Sequence, residues 1–596
     1  MMTTATRTVQ PIYCVIDHLY QDLDRARDVC AGRFEVGGVT LTTGDAPNWC
    51  DVAVDPDRER WIEWSKFYYG LDLASAFART GDAVFLHTWE RLVRSWLAQV
   101  PIGFGPTDAL GRRLQNWIYA WNRFADVTAF AGFSAGFEAL LTARIAQEAD
   151  YLQANLTGER NHRTLELYAL MVVALALPSN HQQDARLRFA WGELQQNFVD
   201  DFRSDGVHRE HSTHYHMIVL RSFLGARENA RRAGLEIPDA YDDALRRAFA
   251  FAMYCHRPDG SMPALSDSDV GSYRDLLQTA GEILGQPSLL YVATNGGRGI
   301  PPPRRCADFI EAGYFVQCSA FDRLSHEPDA HRSLIFDCGP VGDGGHGHYD
   351  ALSIDVWCGR HLLIDPGRYS YDASSRWRQW FKGTAAHNTV CIDRLDQTGY
   401  RPGKPRRPAR TRLLTRYSST LLDAVGGEVV SSEYDALHRR HVFFIAGEYW
   451  IVLDELEAVE PHDYDLRFHL ASDASEAIDL AADQLTVPGL RLLFDGPGEV
   501  AIEDGWMSPQ YGLKLPAPVV SKRAAQHCSA RFITVIVPLD ASNSSTRFTL
   551  AASPAADVIG TVVVGVRGPH DEHVDRLRWR TGESGSCHAA LERRNR

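Results

Sequence analysis

Apolar residues recur at three- and four-residue intervals through the first half of the chain. Trp61, Trp64 and Leu71 illustrate this spacing, which places apolar side chains along one face of an α-helix. Turns such as Pro258-Asp259-Gly260 separate the apolar stripes, and short turns join helices into antiparallel hairpins. Because successive hairpins have to bury their stripes against one another, residues 46–300 are predicted to form a helical barrel or toroid. Its predicted helices include 110–130, 137–156, 165–177, 187–202, 214–231 and 241–254.

The pattern changes at residues 295–303, where consecutive prolines from Pro301 to Pro303 prevent a helix from continuing. Beyond this linker, short apolar runs alternate with turns rich in glycine, proline and aspartate, which is typical of an antiparallel β-sandwich. The clearest predicted strands are 313–318, 333–338, 441–445, 449–453 and 532–537.

These patterns predict a multidomain α+β chain. A small β segment, centred on residues 33–41, occupies 1–45 and precedes the helical domain. A β-sandwich domain follows at 301–510. The last predicted region, 511–596, is also β and completes or extends the sandwich.

Bulk composition limits the partners and cellular locations that are expected for this chain of 596 residues. A net charge of −14 argues against a nucleic-acid partner, since nucleic-acid-binding surfaces are normally basic. The 11 cysteines contain no C-x-x-C pair and are expected to be free buried thiols. The longest apolar run, Met171–Leu177, is too short to cross a bilayer, so no membrane partner is expected. No signal peptide is evident, which favours a cytoplasmic location, or a periplasmic or secreted one if a leader was removed.

Histidines and a carboxylate cluster around the predicted strands of the β domain. His346 and His348 form a His-x-His pair, which in a strand would place both rings on one face. Asp365 ends one apolar run and His387 precedes another. Neighbouring strand ends would therefore aim imidazole nitrogens and a carboxylate oxygen at one point, a donor set that suits a transition metal such as zinc. The alternative is a set of polar strand-end residues with no shared partner.

Two polar clusters interrupt the predicted helices. Asn161 and His162 open a helix, where they either cap it or point into a groove and hold a carboxylate. The second cluster, residues 210–216, contains several histidines around Tyr215. On a helix, His211 and Tyr215 would share a face. A tyrosine among several histidines indicates a polar site more than a core position.

A third group suits a sugar ligand. Arg113, Asn116 and Trp117 fall close together on one predicted helical face. A guanidinium binds carboxylate or sulfate in a fork geometry, and an indole offers a stacking surface for a sugar ring. The alternative is a solvated arginine beside core tryptophans.

Taken in order, these motifs resemble those of the heparinase II/III-like polysaccharide lyases. The resemblance extends from about Trp61 to Ile392. Its pieces are Arg113-Leu-Gln-Asn116-Trp117, Asn161-His162, Glu210-x-Ser212-x-x-Tyr215-His216, Pro258-Asp259-Gly260, His346-Gly-His348-x-Asp350, Asp365-Pro-Gly367 and Ala386-His387-Asn388-Thr389. In length and in the Asn-His form, the chain is most similar to alginate lyases and broad-specificity glycosaminoglycan lyases. The resemblance implies an (α/α) toroid followed by an antiparallel β-sandwich.

The resemblance also implies roles for individual residues. Asn161 would neutralise the substrate carboxylate, Tyr215 would act as general base and acid, and His346 would complete the catalytic site. The implied ligands of one structural divalent metal ion, expected to be zinc or otherwise manganese, are His348, Asp365 and His387. The residues expected to contact substrate are Arg113, Asn116, Trp117, His162, His211 and Tyr371.

The expected substrate is an acidic polysaccharide that contains uronic acid and is cleaved by β-elimination. Glycosaminoglycans such as hyaluronan, chondroitin or heparan sulfate are the first expectation, and alginate is the alternative. Other classes stay open: a metal-dependent hydrolase, a glycosidase using a carboxylate pair such as Asp267 and Asp269, and a non-catalytic polysaccharide-binding protein.

Overall fold

The computed structural model describes most of the chain. The described residues are 9–44, 47–50, 58–128, 130–343, 345–401, 407–540, 543–554, 559–568 and 572–595. The N-terminal segment 1–8 and the predicted domain boundary at 45 and 46 lie outside them. The chain forms two compact units, the first comprising 1–203 with 217–248 and the second comprising 204–216 with 249–596. The predicted domain boundaries at 300 and 510 stay predictions.

The first unit is mainly helical. A two-stranded hairpin of β1 (Arg33–Val36) and β2 (Val39–Thr42) follows the first helix. The helices are α1 (Leu23–Cys30), α2 (Arg58–Ser65), α3 (Tyr69–Thr80), α4 (Ala83–Gln99), α5 (Thr107–Ala125), α6 (Phe137–Ala154), α7 (Arg160–Ala176) and α8 (His181–Asp201). Two further helices, α9 (Thr213–Arg232) and α10 (Asp239–Cys255), contribute their residues between 217 and 248.

Local signals set the ends of these helices. The side chain of Asp82 accepts a hydrogen bond from the backbone N–H of Val84 at the start of α4, and α3 ends at Gly81 in a left-handed conformation. Helices α3, α5 and α7 pack on one another in turn, while α4 and α6 pack against their neighbours in the chain. This alternation of packed hairpins confirms the predicted helical N-terminal region.

In the second unit, α11 (Arg274–Ile283) and α12 (Pro287–Ala293) precede the antiparallel sheets. A five-stranded sheet runs from β3 to β7 in chain order. Its strands are β3 (Cys306–Phe309), β4 (Tyr314–Cys318), β5 (Arg332–Asp337), β6 (Ile354–Cys358) and β7 (His361–Leu363). The short helix α13 (Arg376–Lys382) follows this sheet.

A larger, ten-stranded sheet has the central order β13-β14-β15-β17-β12-β11-β10-β9, with β8 on β12 and β16 on β17. Its strands are β8 (Val390–Ile392), β9 (Arg410–Ser418), β10 (Leu422–Val430), β11 (Ala436–Ile445), β12 (Tyr449–His469), β13 (Asp479–Ala481), β14 (Gln484–Val487), β15 (Leu490–Asp495), β16 (Glu499–Gln510) and β17 (Leu513–Pro538). A four-stranded sheet follows, with β18 (Arg547–Ala552), β19 (Gly560–Arg567), β20 (Glu572–Thr581) and β21 (Cys587–Asn595).

The ten-stranded sheet is buried on both faces. Along β11, Val442 and Phe444 join a core shared with the five-stranded sheet, whereas Phe443 and Ile445 join a core shared with the four-stranded sheet. Alternate side chains of a strand point to opposite faces, so burial of both faces explains the continuous apolar run in the sequence. The predicted antiparallel β region is confirmed, and it consists of three packed sheets.

None of the described helices is long and apolar enough to span a membrane. The candidate site is built from four segments of the second unit: residues 204–216, residues 256–273, the β5–β6 connection, and the segment between β7 and β8 that contains α13.

Candidate active site and metal centre

His346 and His348 lie in the β5–β6 connection, and the strand predicted for them is wrong. The backbone turns there, with Gly345 in a left-handed conformation at φ 92°. The carbonyls of Gly345 and Gly347 accept hydrogen bonds from the Lys382 side chain at the end of α13. The Lys382 ammonium group thus holds two carbonyls of this turn.

Asp267 joins the two histidines. One carboxylate oxygen accepts from His346 Nδ1 at 3.0 Å and the other from His348 Nε2 at 2.9 Å. Arg378 of α13 donates both guanidinium Nη groups to the same carboxylate. Asp267 is fully buried, and it follows Ser266, which has the left-handed φ of 60° that is uncommon outside glycine. The two histidines therefore share the Asp267 carboxylate.

Charge favours the ionised form of Asp267. Burial alone would raise its pKa, but the Arg378 charge and the hydrogen bonds from both histidines hold that pKa well below its ordinary value. An ionised carboxylate only accepts hydrogen bonds, so His346 Nδ1 and His348 Nε2 both carry hydrogen. Burial lowers the pKa of His346, and lowers that of His348 to about 3. Both rings are neutral at neutral pH, with their remaining nitrogens carrying lone pairs.

Tyr215 lies against His346. Their ring centroids are 4.0 Å apart at an interplanar angle of 34°. The Tyr215 hydroxyl is 2.5 Å from the Tyr371 hydroxyl and 3.5 Å from Arg368 Nη1. Segment 204–216, the β5–β6 connection and the loop after β7 thus bring a tyrosine pair, an imidazole and a guanidinium to one point. The predicted residues Tyr215, His346 and Tyr371 are in contact.

Arg368 is fixed beside the tyrosines by Asp269. The guanidinium donates to both carboxylate oxygens, from Nε at 2.9 Å and from Nη2 at 2.8 Å, and it lies 4.9 Å from the Tyr371 ring centroid. Gly367 precedes it at φ 71°, where a Cβ would lie 2.8 Å from the Ser508 carbonyl oxygen. Glycine is required at that turn, and the turn directs Arg368 towards Tyr215.

The other histidines of segment 204–216 have different surroundings. His211 lies before α9 with a left-handed φ of 58°, so the prediction that it shares a helical face with Tyr215 is wrong. Its carbonyl oxygen accepts from the Tyr314 hydroxyl. His214 Nδ1 lies 3.2 Å from the Tyr273 hydroxyl, and the His216 ring packs on Phe251.

The predicted metal ligands converge. His348, Asp365 and His387 are all buried, and one candidate ligand atom from each lies within 4.8 Å of the others. His387 Nδ1 is 2.9 Å from Asp365 Oδ2. His348 Nδ1 and His387 Nε2 are buried without a hydrogen-bond partner in the described residues. Orphaned imidazole nitrogens beside a carboxylate fit a divalent metal ion.

Asp365 controls the protonation of His387. Burial alone would lower the pKa of His387, but the adjacent carboxylate raises it above its ordinary value. Metal binding at this ring would therefore release a proton. Asn388, the next residue, ties the ligand loops together by donating to the carbonyls of Ile354 and Ile364.

Arg113, Asn116 and Trp117 are buried inside the first unit. The Arg113 guanidinium lies 4.3 Å from the Trp96 ring centroid, and burial lowers its pKa to about 10. Asn116 donates to the Lys66 carbonyl at 2.8 Å. This placement favours the core alternative over sugar stacking. Their contact with substrate stays a prediction.

Asn161 and His162 lie in the first turn of α7. Asn161 is buried whereas His162 is exposed, so the two neighbouring side chains have unlike environments. The N-cap position belongs to Glu159, which removes the capping explanation for Asn161. Its role and that of His162 stay predictions.

The sequence interpretation missed the arginines and the lysine that organise the site. Arg368 directly follows the Asp365-Pro-Gly367 motif, and Arg378 with Lys382 are spaced one helical turn apart on α13. That spacing was the available signal, but nothing in the sequence pairs these cations with Asp267, Asp269 or the Gly345 carbonyl.

Comparisons with known proteins cover most of the chain. The family model Heparinase II/III N-terminus matches residues 29–284, and the model Heparinase II/III-like, C-terminal matches residues 301–551. A heparin-sulfate lyase of Bacteroides stercoris is 22% identical over 550 residues, covering 85% of this chain and 80% of the relative. A heparin-sulfate lyase of Pedobacter heparinus is 21% identical over 523 residues, covering 83% and 76%.

Solved structures show the same architecture. A heparinase III crystal structure matches with a TM-score of 0.78 at 18% identity, covering 99% of this chain and 93% of the other. A heparan sulfate lyase from Pedobacter heparinus matches with a TM-score of 0.64 at 18% identity, covering 98% and 90%. These likenesses support a helical toroid followed by antiparallel sheets.

Proposed function

The chain belongs to the heparinase II/III-like family, as the sequence predicted, and on that premise we propose that it is a polysaccharide lyase. Its proposed substrate is a glycosaminoglycan of the heparin and heparan sulfate class, which it cleaves by β-elimination. The main observation in support of this proposal is that Tyr215 contacts His346, Tyr371 and Arg368 at one point. The relatives named heparin-sulfate lyases support this choice of substrate.

The first chemical step is removal of the C5 proton of a uronate. The Tyr215 oxygen accepts this proton in the proposed reaction, as a general base positioned within reach of the substrate. Arg368 places a fixed positive charge 3.5 Å from that oxygen, which stabilises negative charge there. The Tyr371 hydroxyl at 2.5 Å can donate to the same oxygen.

The second step breaks the glycosidic bond. The electron pair left at C5 forms the C4–C5 double bond as the C4–O4 bond breaks. Tyr215 returns its proton to O4, so that acid and base are the same residue. The predicted donor to the uronate carboxylate is Asn161, in an oxyanion-hole role.

His346 offers a second basic atom. With Nδ1 hydrogen-bonded to Asp267 and the ring neutral, Nε2 carries a lone pair. In the proposal this nitrogen serves as the base for the opposite C5 epimer, which broadens the range of uronates accepted. Asp267 holds the ring in the tautomer that this role needs.

A divalent ion, proposed to be zinc or otherwise manganese, would be held by His348, Asp365 and His387. Zinc is favoured by the donor set of two imidazole nitrogens and one carboxylate oxygen. The ion would supply a structural tie between the β5–β6 connection and both ends of the β7–β8 connection. Its ligand residues are only 0%, 6% and 0% exposed, which argues against an open metal site that activates water for hydrolysis.

A carboxylate-pair glycosidase is disfavoured by the same geometry. Its general acid needs a raised pKa. Burial would raise the pKa values of Asp267 and Asp269, but Arg378 and Arg368 hold both below the ordinary range. Each carboxylate accepts hydrogen bonds from an arginine, so both aspartates are better suited to position neighbouring side chains than to act as a general acid.

Heavy-oxygen water distinguishes elimination from hydrolysis. Products of heparan sulfate cleavage in labelled water, analysed before the new reducing end exchanges its oxygen with water, should contain no label and should have an unsaturated uronate end, because elimination adds no water. Incorporation of one labelled oxygen per cut would establish a hydrolase. If the chain binds heparan sulfate, chondroitin, hyaluronan or alginate but cleaves none of them, the lyase proposal is wrong and the chain is a polysaccharide-binding protein.

A further inference from the structure

Lys514 lies in a cage of two indoles at the β16–β17 hairpin. Its ammonium nitrogen is 3.2 Å from the Trp377 ring centroid and 3.7 Å from that of Trp506. The two indoles are nearly perpendicular, with centroids 5.6 Å apart. An ammonium over aromatic faces is attracted by their quadrupoles, so the cage fixes the position of a side chain that is usually mobile.

A second cation shares the cage. The Arg376 guanidinium carbon lies 4.8 Å from the Trp377 ring centroid, and Arg376 is exposed. Among the described residues, neither Lys514 nor Arg376 has an ion-pair partner. Partial desolvation and the Arg376 charge both lower the pKa of Lys514. In a chain with a net charge of −14, two neighbouring cations without a carboxylate leave room for an anion from outside.

The two elements that carry the cage, α13 and the β16–β17 hairpin, also contact the candidate active site. Trp377 is adjacent in sequence to Arg378, which binds Asp267. At the hairpin, Tyr511 stacks on Tyr371 with centroids 5.5 Å apart, and its backbone N–H donates to Asp269. A polysaccharide whose cleaved bond lies at Tyr215 would, in the binding mode inferred below, extend over Tyr371 and Tyr511 towards the hairpin that carries Lys514.

We propose that Lys514 and Arg376, positioned by Trp377 and Trp506, form a subsite for an anionic group on a sugar that flanks the cleaved bond. This proposal rests on the proposed function and deepens it. The ligand is a sulfate or a uronate carboxylate of the substrate chain. Charge-assisted hydrogen bonds from a pre-positioned ammonium and a guanidinium bind such groups, and the fixed cage reduces the entropy lost on binding.

Binding to an inactive chain tests the subsite separately from turnover. The parent is the full chain with Tyr215→Phe, titrated calorimetrically with heparan sulfate oligosaccharides of defined length at low ionic strength. Lys514→Gln and Arg376→Gln should each raise Kd about tenfold, equivalent to about 1.4 kcal/mol. Lys514→Arg should restore most of the affinity, since it keeps the charge. Melting temperatures establish that each variant is folded.

Matched controls separate a local site from a general charge effect. Arg594→Gln removes one positive charge from an exposed arginine already paired with Glu592, and should leave Kd unchanged. Desulfated oligosaccharides identify sulfate as the group if the effect of Lys514→Gln disappears. Carboxyl-reduced oligosaccharides identify the uronate carboxylate as the group if the effect of Lys514→Gln disappears with those ligands instead.

Several results would overturn the subsite. These are a Kd for Lys514→Gln and Arg376→Gln within twofold of the parent, an equal loss in Arg594→Gln, or no measurable binding by the parent. If the native chain cleaves no uronate polymer while the Lys514 effect persists, the proposed function fails, whereas Lys514 and Arg376 still bind an anionic group of the polysaccharide.

Discussion

At the residue scale, the site depends on side chains whose positions are fixed by partners of opposite charge. Asp269 holds Arg368 against Tyr215, and Asp267 holds His346 in one tautomer. Pre-positioned groups of this kind stabilise a developing charge without rearranging during the reaction. Removing the proton-transfer atom should therefore affect the reaction differently from removing a residue that positions it.

The proposed proton-transfer atom is the hydroxyl oxygen of Tyr215. Tyr215→Phe should lower kcat by roughly 10²–10⁴-fold, because it removes the proposed acid and base. The ring still packs on His346, so the melting temperature and the Kd for heparan sulfate should change little. Steady-state kinetics and calorimetry provide the comparison. A folded Tyr215→Phe variant with near-native kcat would refute the assignment.

Asp267 is predicted to act through its histidines. Asp267→Asn should lower kcat by roughly 10–100-fold and reduce metal content, with a smaller effect on KM, because the amide disturbs both tautomers. Asp454→Asn is the matched control, since Asp454 is also buried and bound by a histidine and an arginine, His438 and Arg440. Asp454→Asn should lower the melting temperature but preserve kcat and metal content of the folded chain. Equal effects in both variants would indicate a merely structural role for Asp267.

At the element scale, the helices and strands were predictable because local spacing determines their exposed and buried faces. The predicted helix 214–231 corresponds to α9, and the predicted strand 449–453 is the start of β12. The loop that carries His346 was not predictable. Its conformation depends on Arg378 and Lys382, which come from a helix more distant in the chain.

The proposed metal centre joins different elements, because its ligands lie on two separate connections between strands, β5–β6 and β7–β8. His348 precedes β6, Asp365 follows β7 and His387 precedes β8. An ion bound only by the folded chain stabilises it. Removal of the metal by a chelator, or Asp365→Ala, should lower the melting temperature and weaken activity by loosening the loop of His346.

Elemental analysis of the purified chain should find about one zinc or manganese ion per chain, consistent with the single proposed site. Restoring the metal after chelation should restore the melting temperature of the native chain but not that of Asp365→Ala. A metal-free chain with unchanged stability and activity would remove the metal from this account while leaving the Tyr215 proposal intact.

At the scale of the whole molecule, the order of helical and β regions followed from the sequence, but the sheet topology did not. In the pairing of β12 with β17, Trp450 lies opposite Ile536. These residues are far apart in the sequence, and a local hydrophobic pattern does not indicate which distant strand will pair with β12. The same limit applies to the site, where Asp267 meets His346 and His348 through long-range folding. The sequence motifs therefore indicated the candidate catalytic residues but not the charged residues that position them.

The most direct measurement of the central claim is near-ultraviolet absorbance during incubation of the purified chain with heparan sulfate. The C4–C5 double bond formed by elimination is conjugated with the uronate carboxylate, so absorbance should rise with time. Chondroitin, hyaluronan and alginate in parallel define the substrate range, and Tyr215→Phe provides the inactive control. A rise on heparan sulfate that the control lacks is the predicted result. Cleavage of heparan sulfate without any rise, or an equal rise with Tyr215→Phe, would contradict the account.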